Sequence, residues 1–231
     1  MVIQSIPTLI VTRPEPGGAA FAARLGQPAI LSPLMAPEFL APPLPPARAL
    51  ILTSATAVEG LRRLGEPLPP LAFCVGDATA QAAQALGLQT ESAAGDAEAL
   101  LGLLLARRPE GPLLHVCGTK TRGNLAARLG AAGLPCTKCV IYDQRPRPLV
   151  PEAVAALHGP GPVILPVFSP RSAALLAAEL ARVGATAPLW VAAISEAAAA
   201  PLRGRAARLV IAPQPEARAM AAEVARFFAA P

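Results

Sequence analysis

The chain carries one pattern twice, and that repeat limits what it can fold into. Leu9-Ile10-Val11, then a stretch ending Ala22-Ala23-Arg24-Leu25-Gly26, is echoed by Leu114-His115-Val116-Cys117 and Leu125-Ala126-Ala127-Arg128-Leu129-Gly130. Leu52-Thr53-Ser54 is echoed by Val167-Phe168-Ser169, and Phe73-Cys74-Val75-Gly76 by Val191-Ala192-Ala193-Ile194. Each repeat is a short apolar run, a turn, and a segment with apolar residues at helical spacing. That order reads as buried strand, turn and helix. The clearest instance is Leu71 to Gly87, where Val75-Gly76 ends the strand and Asp77-Ala78-Thr79-Ala80 opens the helix. Alternating β and α segments build parallel sheets covered by helices on both faces. Such sheets bind ligands at the carboxyl ends of their strands, where these turns present backbone N–H groups and hydroxyls.

The repeat does not by itself say where one domain ends. Pro33 to Pro46 holds six prolines, a density that predicts an extended linker without a regular element. Asp143 to Pro148 falls at the equivalent place in the second half. Cutting at both gives a discontinuous α/β domain, 1–36 plus 149–231, and an inserted one, 37–148. Two chain crossings of this kind would act as a hinge, with the ligand held in the cleft. Within the elements, Gly26 should end a helix over 17–25, and helices are expected over 55–64 and 96–107. Pro166 interrupts its strand, which predicts an edge or a bulge.

Composition narrows the function. Hydrophobic residues make up 53% of the 231, enough for a core without metals or disulfides. No apolar run approaches the ~18 residues of a membrane span. The N-terminus lacks the basic region and cleavage site of a secretory signal, so a cytoplasmic protein is expected. The net charge of +5 comes from scattered arginines, and aromatics are 3%. Nucleic-acid binding calls for a basic stripe with stacking platforms, so a small acidic ligand fits better. Cys136 and Cys139 form a C-x-x-C, but on a strand they point to opposite faces, which predicts plain buried cysteines and no metal site. His115, inside a strand, and His158, beside Gly159-Pro160, read as structural. Neither a G-x-G-x-x-G nor a P-loop is present.

Taken in order, Thr12-Arg13-Pro14, Leu52-Thr53-Ser54 with Ala57-Val58, Val75-Gly76 with Thr79-Ala80, Gly118 with Arg122 and Leu125, Val140-Ile141-Tyr142, Phe168-Ser169 and Ala193-Ile194-Ser195 resemble the uroporphyrinogen-III synthase family. The resemblance covers nearly the whole chain. It implies two flavodoxin-like parallel-sheet domains joined by a two-stranded linker. It also implies cyclisation of hydroxymethylbilane, a linear tetrapyrrole with carboxylate arms, to uroporphyrinogen III, with loss of water and inversion of ring D. No metal or organic cofactor is implied. The expected partner is this substrate alone, with no nucleic acid, no membrane and a monomeric chain. A degenerate two-domain tetrapyrrole-binding protein is the alternative. Tyr142 matches the family's functional tyrosine and is expected to act as an acid on the departing hydroxyl. Thr53, Ser54, Thr79, Ser169 and Ser195 fall on the motif turns, where each hydroxyl can meet substrate or cap its helix. Gly76 and Gly118 shape those turns, and Arg13 and Arg122 are candidates for the carboxylates. Some family members carry a Thr-Thr pair near Glu196-Ala197, so this chain is poorer in hydroxyls there.

Overall fold

The computed structural model describes residues 6–121 and 123–229. The first half forms β1 (Thr8–Val11), α1 (Gly17–Leu25), β2 (Ala29–Leu31), β3 (Met35–Phe39), β4 (Ala49–Leu52), α2 (Ala55–Leu64), β5 (Leu71–Cys74), α3 (Asp77–Gln84), β6 (Gln89–Ser92) and α4 (Ala97–Arg107). The second half forms β7 (Leu113–Gly118), α5 (Leu125–Ala131), β8 (Cys136–Pro146), α6 (Pro151–Leu157), β9 (Val163–Val167), α7 (Pro170–Val183), β10 (Leu189–Ala193), α8 (Glu196–Ala199), β11 (Arg208–Ile211) and α9 (Ala217–Ala229). The chain divides into two compact units, 1–36 with 146–231, and 37–145.

The first unit's sheet has the order β11-β10-β9-β1-β2, and the second's the order β3-β8-β7-β4-β5-β6. Numbering strands by their place in each repeat, and setting β3 aside, both sheets read 2-1-3-4-5. In each, strands one and two come from one half of the chain and strands three to five from the other. This is the flavodoxin-like order, whose ligand site lies where the strand order reverses. The reversal falls between β1 and β9 in the first unit and between β7 and β4 in the second.

Side-chain alternation covers both faces of each sheet, as a parallel sheet requires. Ile10 packs with α6 and α7 residues such as Leu157 and Leu176, whereas Leu9 and Val11 pack with Phe21, Val224 and Phe227 of α1 and α9. In the second unit Leu50 and Leu52 face Val58 and Ala83 of α2 and α3, while Ala49 and Ile51 face Leu100 and Leu129 of α4 and α5. Cys139 lies on the first of these faces and Cys136 packs against the second, the separation that strand geometry demands.

Helix ends follow local chemistry. Gly26 closes α1 in the left-handed conformation (φ 61°), which costs glycine no Cβ strain. Asp96 caps α4, its Oδ1 accepting from Glu98 N at 3.0 Å and Ala99 N at 3.1 Å. Replacing it with alanine frees both donors, so Asp96→Ala is expected to lower the unfolding free energy by about 1 kcal/mol, read from urea titrations with an unchanged slope.

Two expectations are corrected. A strand does form in the proline-rich segment: β3 contains Pro37 and lies at the sheet edge beside β8, with Leu40 N donating to Ile141 O at 2.9 Å. An edge tolerates a residue that cannot donate. The returning segment is strand as far as Pro146, the end of β8, in keeping with the two-stranded linker that the resemblance implies, and Arg145 there pairs with Glu38 at 2.5 Å. Pro166 is neither at an edge nor in a bulge. β9 is central, and Pro166 keeps register with Ala192 of β10, while the β1–β9 ladder ends at Leu9↔Ile164. The missing donor coincides with the place where those two strands stop pairing. The helix α6 was not anticipated; it starts with Pro151 at its first turn and Glu152 beside it, a favourable start.

Candidate functional site

Both sheets open a cavity where their strand order reverses. In the second unit it measures roughly 350 Å³. Thr53 and Ser54 reach it from the turn after β4, and His115, Cys117 and Gly118 from the end of β7. Lys120 and Thr121 border it from the following loop, Val75, Asp96 and Ala97 from the neighbouring turns, and Tyr142 from β8.

A β-bulge brings Tyr142 there. β7 and β8 pair regularly as far as Cys117↔Val140; the register then shifts and Gly118 meets Tyr142. Strict alternation would send Ile141 and Tyr142 to opposite faces. With the extra residue, both pack on the cluster formed with α2 and α3. Bulges re-aim side chains in this way next to functional sites. Gly118 makes room for the ring: a Cβ on it would lie 2.6 Å from Tyr142 Cε2, 2.7 Å from Cζ and 3.1 Å from the phenolic oxygen.

Ser54 ties the phenol to a helix. Its Oγ accepts from Ala57 N at 3.2 Å, capping α2, and lies 3.1 Å from Tyr142 Oη. With the Ala57 amide on one lone pair, Oγ keeps its proton and a second lone pair, so either hydroxyl of the Ser54–Tyr142 pair can donate to the other. One oxygen of Ser54 thus both caps α2 and contacts the phenol of Tyr142.

Thr53 Oγ1 stands 3.4 Å from His115 Nε2. His115 is 4% exposed. Burial, with the Lys138 charge as the smaller cause, lowers its pKa from 6.5 to about 4, so the imidazole is neutral at pH 7. Burial also pushes the Cys117 thiol up to about 11, which leaves no thiolate nucleophile in the cavity. The depressed histidine has a consequence for stability. As pH falls, the unfolded chain takes up the proton first, so stability is full above about pH 6.5 and lost toward pH 4. The acid loss of the wild type over that window is expected to exceed that of His115→Gln by up to about 3 kcal/mol, measured by urea unfolding at pH 7 and 4.5.

In the first unit the corresponding cavity is roughly 210 Å³ and is lined by Thr12, Arg13, Met35, Phe168, Ser169 and Ser172 among others. The Arg13 guanidinium stands 4.9 Å from the Phe168 ring centre, and Phe168 meets Phe21 edge-on at 4.8 Å. Ser169 caps α7, its Oγ accepting from Ser172 N at 3.1 Å, as Ser54 does at the equivalent repeat position. Among the described residues no carboxylate lies within ion-pair distance of Arg13.

The structure thus brings Thr53, Ser54, Gly118 and Tyr142 to one cavity and Arg13 and Ser169 to the other. Three candidates stand apart from both. Gly76 precedes α3 with room for a Cβ, whose nearest neighbour would be Gly95 O at 3.9 Å. Thr79 is buried in the first turn of α3. Ser195 caps the short α8, accepting from Ala198 N at 3.3 Å. Arg122 lies outside the described residues. Sequence reasoning passed over His115, Asp96 and Lys120 as cavity residues. Placing β7 in register would have put Leu113, His115 and Cys117 on one face, with the last two at the ligand-binding end. His158, in contrast, sits at the end of α6 with its ring nitrogens 2.9 Å from Val154 O and Val183 O, a structural role.

Comparison with known proteins agrees with this topology. The family profile described as uroporphyrinogen-III synthase HemD matches residues 19–222. No individual curated protein is significantly similar in sequence. Among solved structures, uroporphyrinogen-III synthetase from Helicobacter pylori aligns over 96% of this chain and 99% of its own, with 16% identity and a TM-score of 0.66. A mutant uroporphyrinogen III synthase from Thermus thermophilus aligns over 95% and 98%, with 19% identity and a TM-score of 0.51. At these identities the structural likeness speaks to the fold.

Proposed function

The chain belongs to the uroporphyrinogen-III synthase family, and from that premise we propose which of its residues carry the reaction. The enzyme cyclises hydroxymethylbilane to uroporphyrinogen III in tetrapyrrole biosynthesis, losing water and inverting ring D. The observation that carries the residue assignment is the convergence of Tyr142, Ser54, Thr53 and Gly118 on one cavity at the strand-order reversal of the second sheet.

Tyr142 acts on the ring A hydroxymethyl group. As the C–O bond breaks, the phenol gives its proton to the departing oxygen, which leaves as water, the pyrrole nitrogen supplies the electron pair that forms the azafulvenium cation, and the phenolate regains a proton from the pyrrole N–H, leaving the neutral azafulvene. Ser54 donates its hydroxyl proton to the phenolic oxygen and stabilises the charge developing there. It can do so because the Ala57 amide holds its oxygen in place. Ring D then attacks through its substituted carbon, and the spiro intermediate fragments and recloses. Steps of this kind depend chiefly on how the substrate is folded, for which positioning alone supplies much of the rate.

The carboxylate arms need donors. Thr53 and the α2 N-terminus in the second unit, and Arg13, Ser169 and the α7 N-terminus in the first, provide them. Arg122 is assigned the same role on its motif alone. A 350 Å³ cavity is at the small end of ligand sites and takes part of a tetrapyrrole. Thr79 and Ser195 we assign to their helices, and Gly76 to the turn before α3. The two compact units, which meet at 36/37 and 145/146, are read as domains. We read the chain as a cytoplasmic monomer with no nucleic-acid or membrane partner; no helix among the described residues is long and apolar enough to cross a membrane.

The deciding experiment supplies freshly made hydroxymethylbilane and identifies the cyclic product. Isomer III is the expected result. Isomer I alone is what spontaneous closure gives, and would overturn the assignment.

A further inference from the structure

His115 occupies a position where an apolar residue would complete the core. It pairs in register with Ile51, and Ile51 and Leu113 on the same face belong to the cluster under α4 and α5. The imidazole is nonetheless nine-tenths buried and lines the cavity. Burying it costs free energy unless its polar atoms are used, and the contact its Nε2 makes is to Thr53 Oγ1, at the long end of hydrogen bonding.

We propose that His115 is a positioning residue for Thr53: its Nε2–H donates to Thr53 Oγ1 and so turns the Thr53 hydroxyl proton outward, toward a carboxylate oxygen of the substrate. The proposal rests on the reading of the cavity given above. Its polarity follows from the ligand. A carboxylate only accepts, so Thr53 must donate to it. If Nε2 accepted instead, the threonine proton would be directed at the histidine and lone pairs would face the anion. The α2 N-terminus immediately after Thr53 and Lys120 at the cavity border both favour an anion there.

Two measurements test this. The chain has two histidines, so nitrogen-15 spectra of histidine-labelled protein resolve each. At pH 7 His115 is expected to be neutral with the proton on Nε2, and Thr53→Val should shift that nitrogen. A proton on Nδ1 overturns the proposal. The second is a double-mutant cycle on KM for hydroxymethylbilane. His115→Phe is expected to raise KM about two- to tenfold with kcat little changed. In a Thr53→Val background it should raise KM no further, because the group it orients is gone. His115→Gln, which keeps an N–H donor, should recover most of the loss. A KM unchanged by His115→Phe, or an equal rise in both backgrounds, overturns the proposal; a purely structural role would lower Tm without coupling to Thr53. If His115→Phe does not fold, His115→Leu takes its place in the cycle. A wild type that makes no isomer III would refute the enzymatic reading, while the spectra would still decide the orientation.

Discussion

Tyr142→Phe is expected to lower kcat by up to about 100-fold and to leave isomer III as the enzymatic product. The phenylalanine ring keeps the packing against Ile141 and the α2–α3 cluster but loses the oxygen 3.1 Å from Ser54 Oγ. Positioned acid assistance is worth ~10²–10⁴-fold. The low end applies because the electron-rich pyrrole already drives the hydroxyl off. Product identity depends on how the substrate is folded, which this variant does not touch. Turnover at the wild-type rate under saturating substrate would remove Tyr142 from the chemistry and leave it as a packing residue.

Gly118→Ala should do more harm for one added methyl group. The Cβ would lie 2.6 Å from the tyrosine ring, and a ring wedged against a packed cluster cannot give way as the tip of a lysine could. Either the ring swings off Ser54 or β7 moves. We expect activity at or below that of Tyr142→Phe, together with a stability loss of about 1–3 kcal/mol, the usual cost of overpacking. The cycle with Tyr142→Ala separates the two causes. In that background Gly118→Ala should cost little stability, because the obstructing ring is gone, while activity stays low. A Gly118→Ala enzyme with full turnover would show that the ring contact is dispensable.

Local rules make much of this molecule legible in its sequence. α1 begins and ends where the apolar spacing and Gly26 place it, and Ser54 and Ser169 cap helices as hydroxyls in strand-end turns do. What stayed hidden depended on partners distant in the chain. β3 forms in spite of Pro37 because β8 offers an edge to pair with, which local propensity cannot register. The bulge at Cys117 and Gly118 is a mismatch between two strands and leaves no mark on either alone, yet it decides which way Tyr142 points. His115 reads as a structural strand histidine because nothing nearby in sequence marks Thr53 as its neighbour. Pro166 suggested an edge, but its ladder with β10 continues and only the pairing toward β1 stops.

The exchange of strands between the two halves also sets the order in which the chain can acquire structure during synthesis. The second unit is continuous, 37–145, so its core strands are all available once β8 has left the ribosome. The first unit is not so placed. β1 and β2 emerge before the second unit, but β1's other neighbour is β9, with Leu9 beside Ile164. At ~5–20 residues per second, that partner arrives on the order of ten seconds later. For that interval Leu9, Ile10 and Val11, all buried in the finished protein, belong to a two-stranded fragment with an open edge, the kind of species that invites chaperones or aggregation.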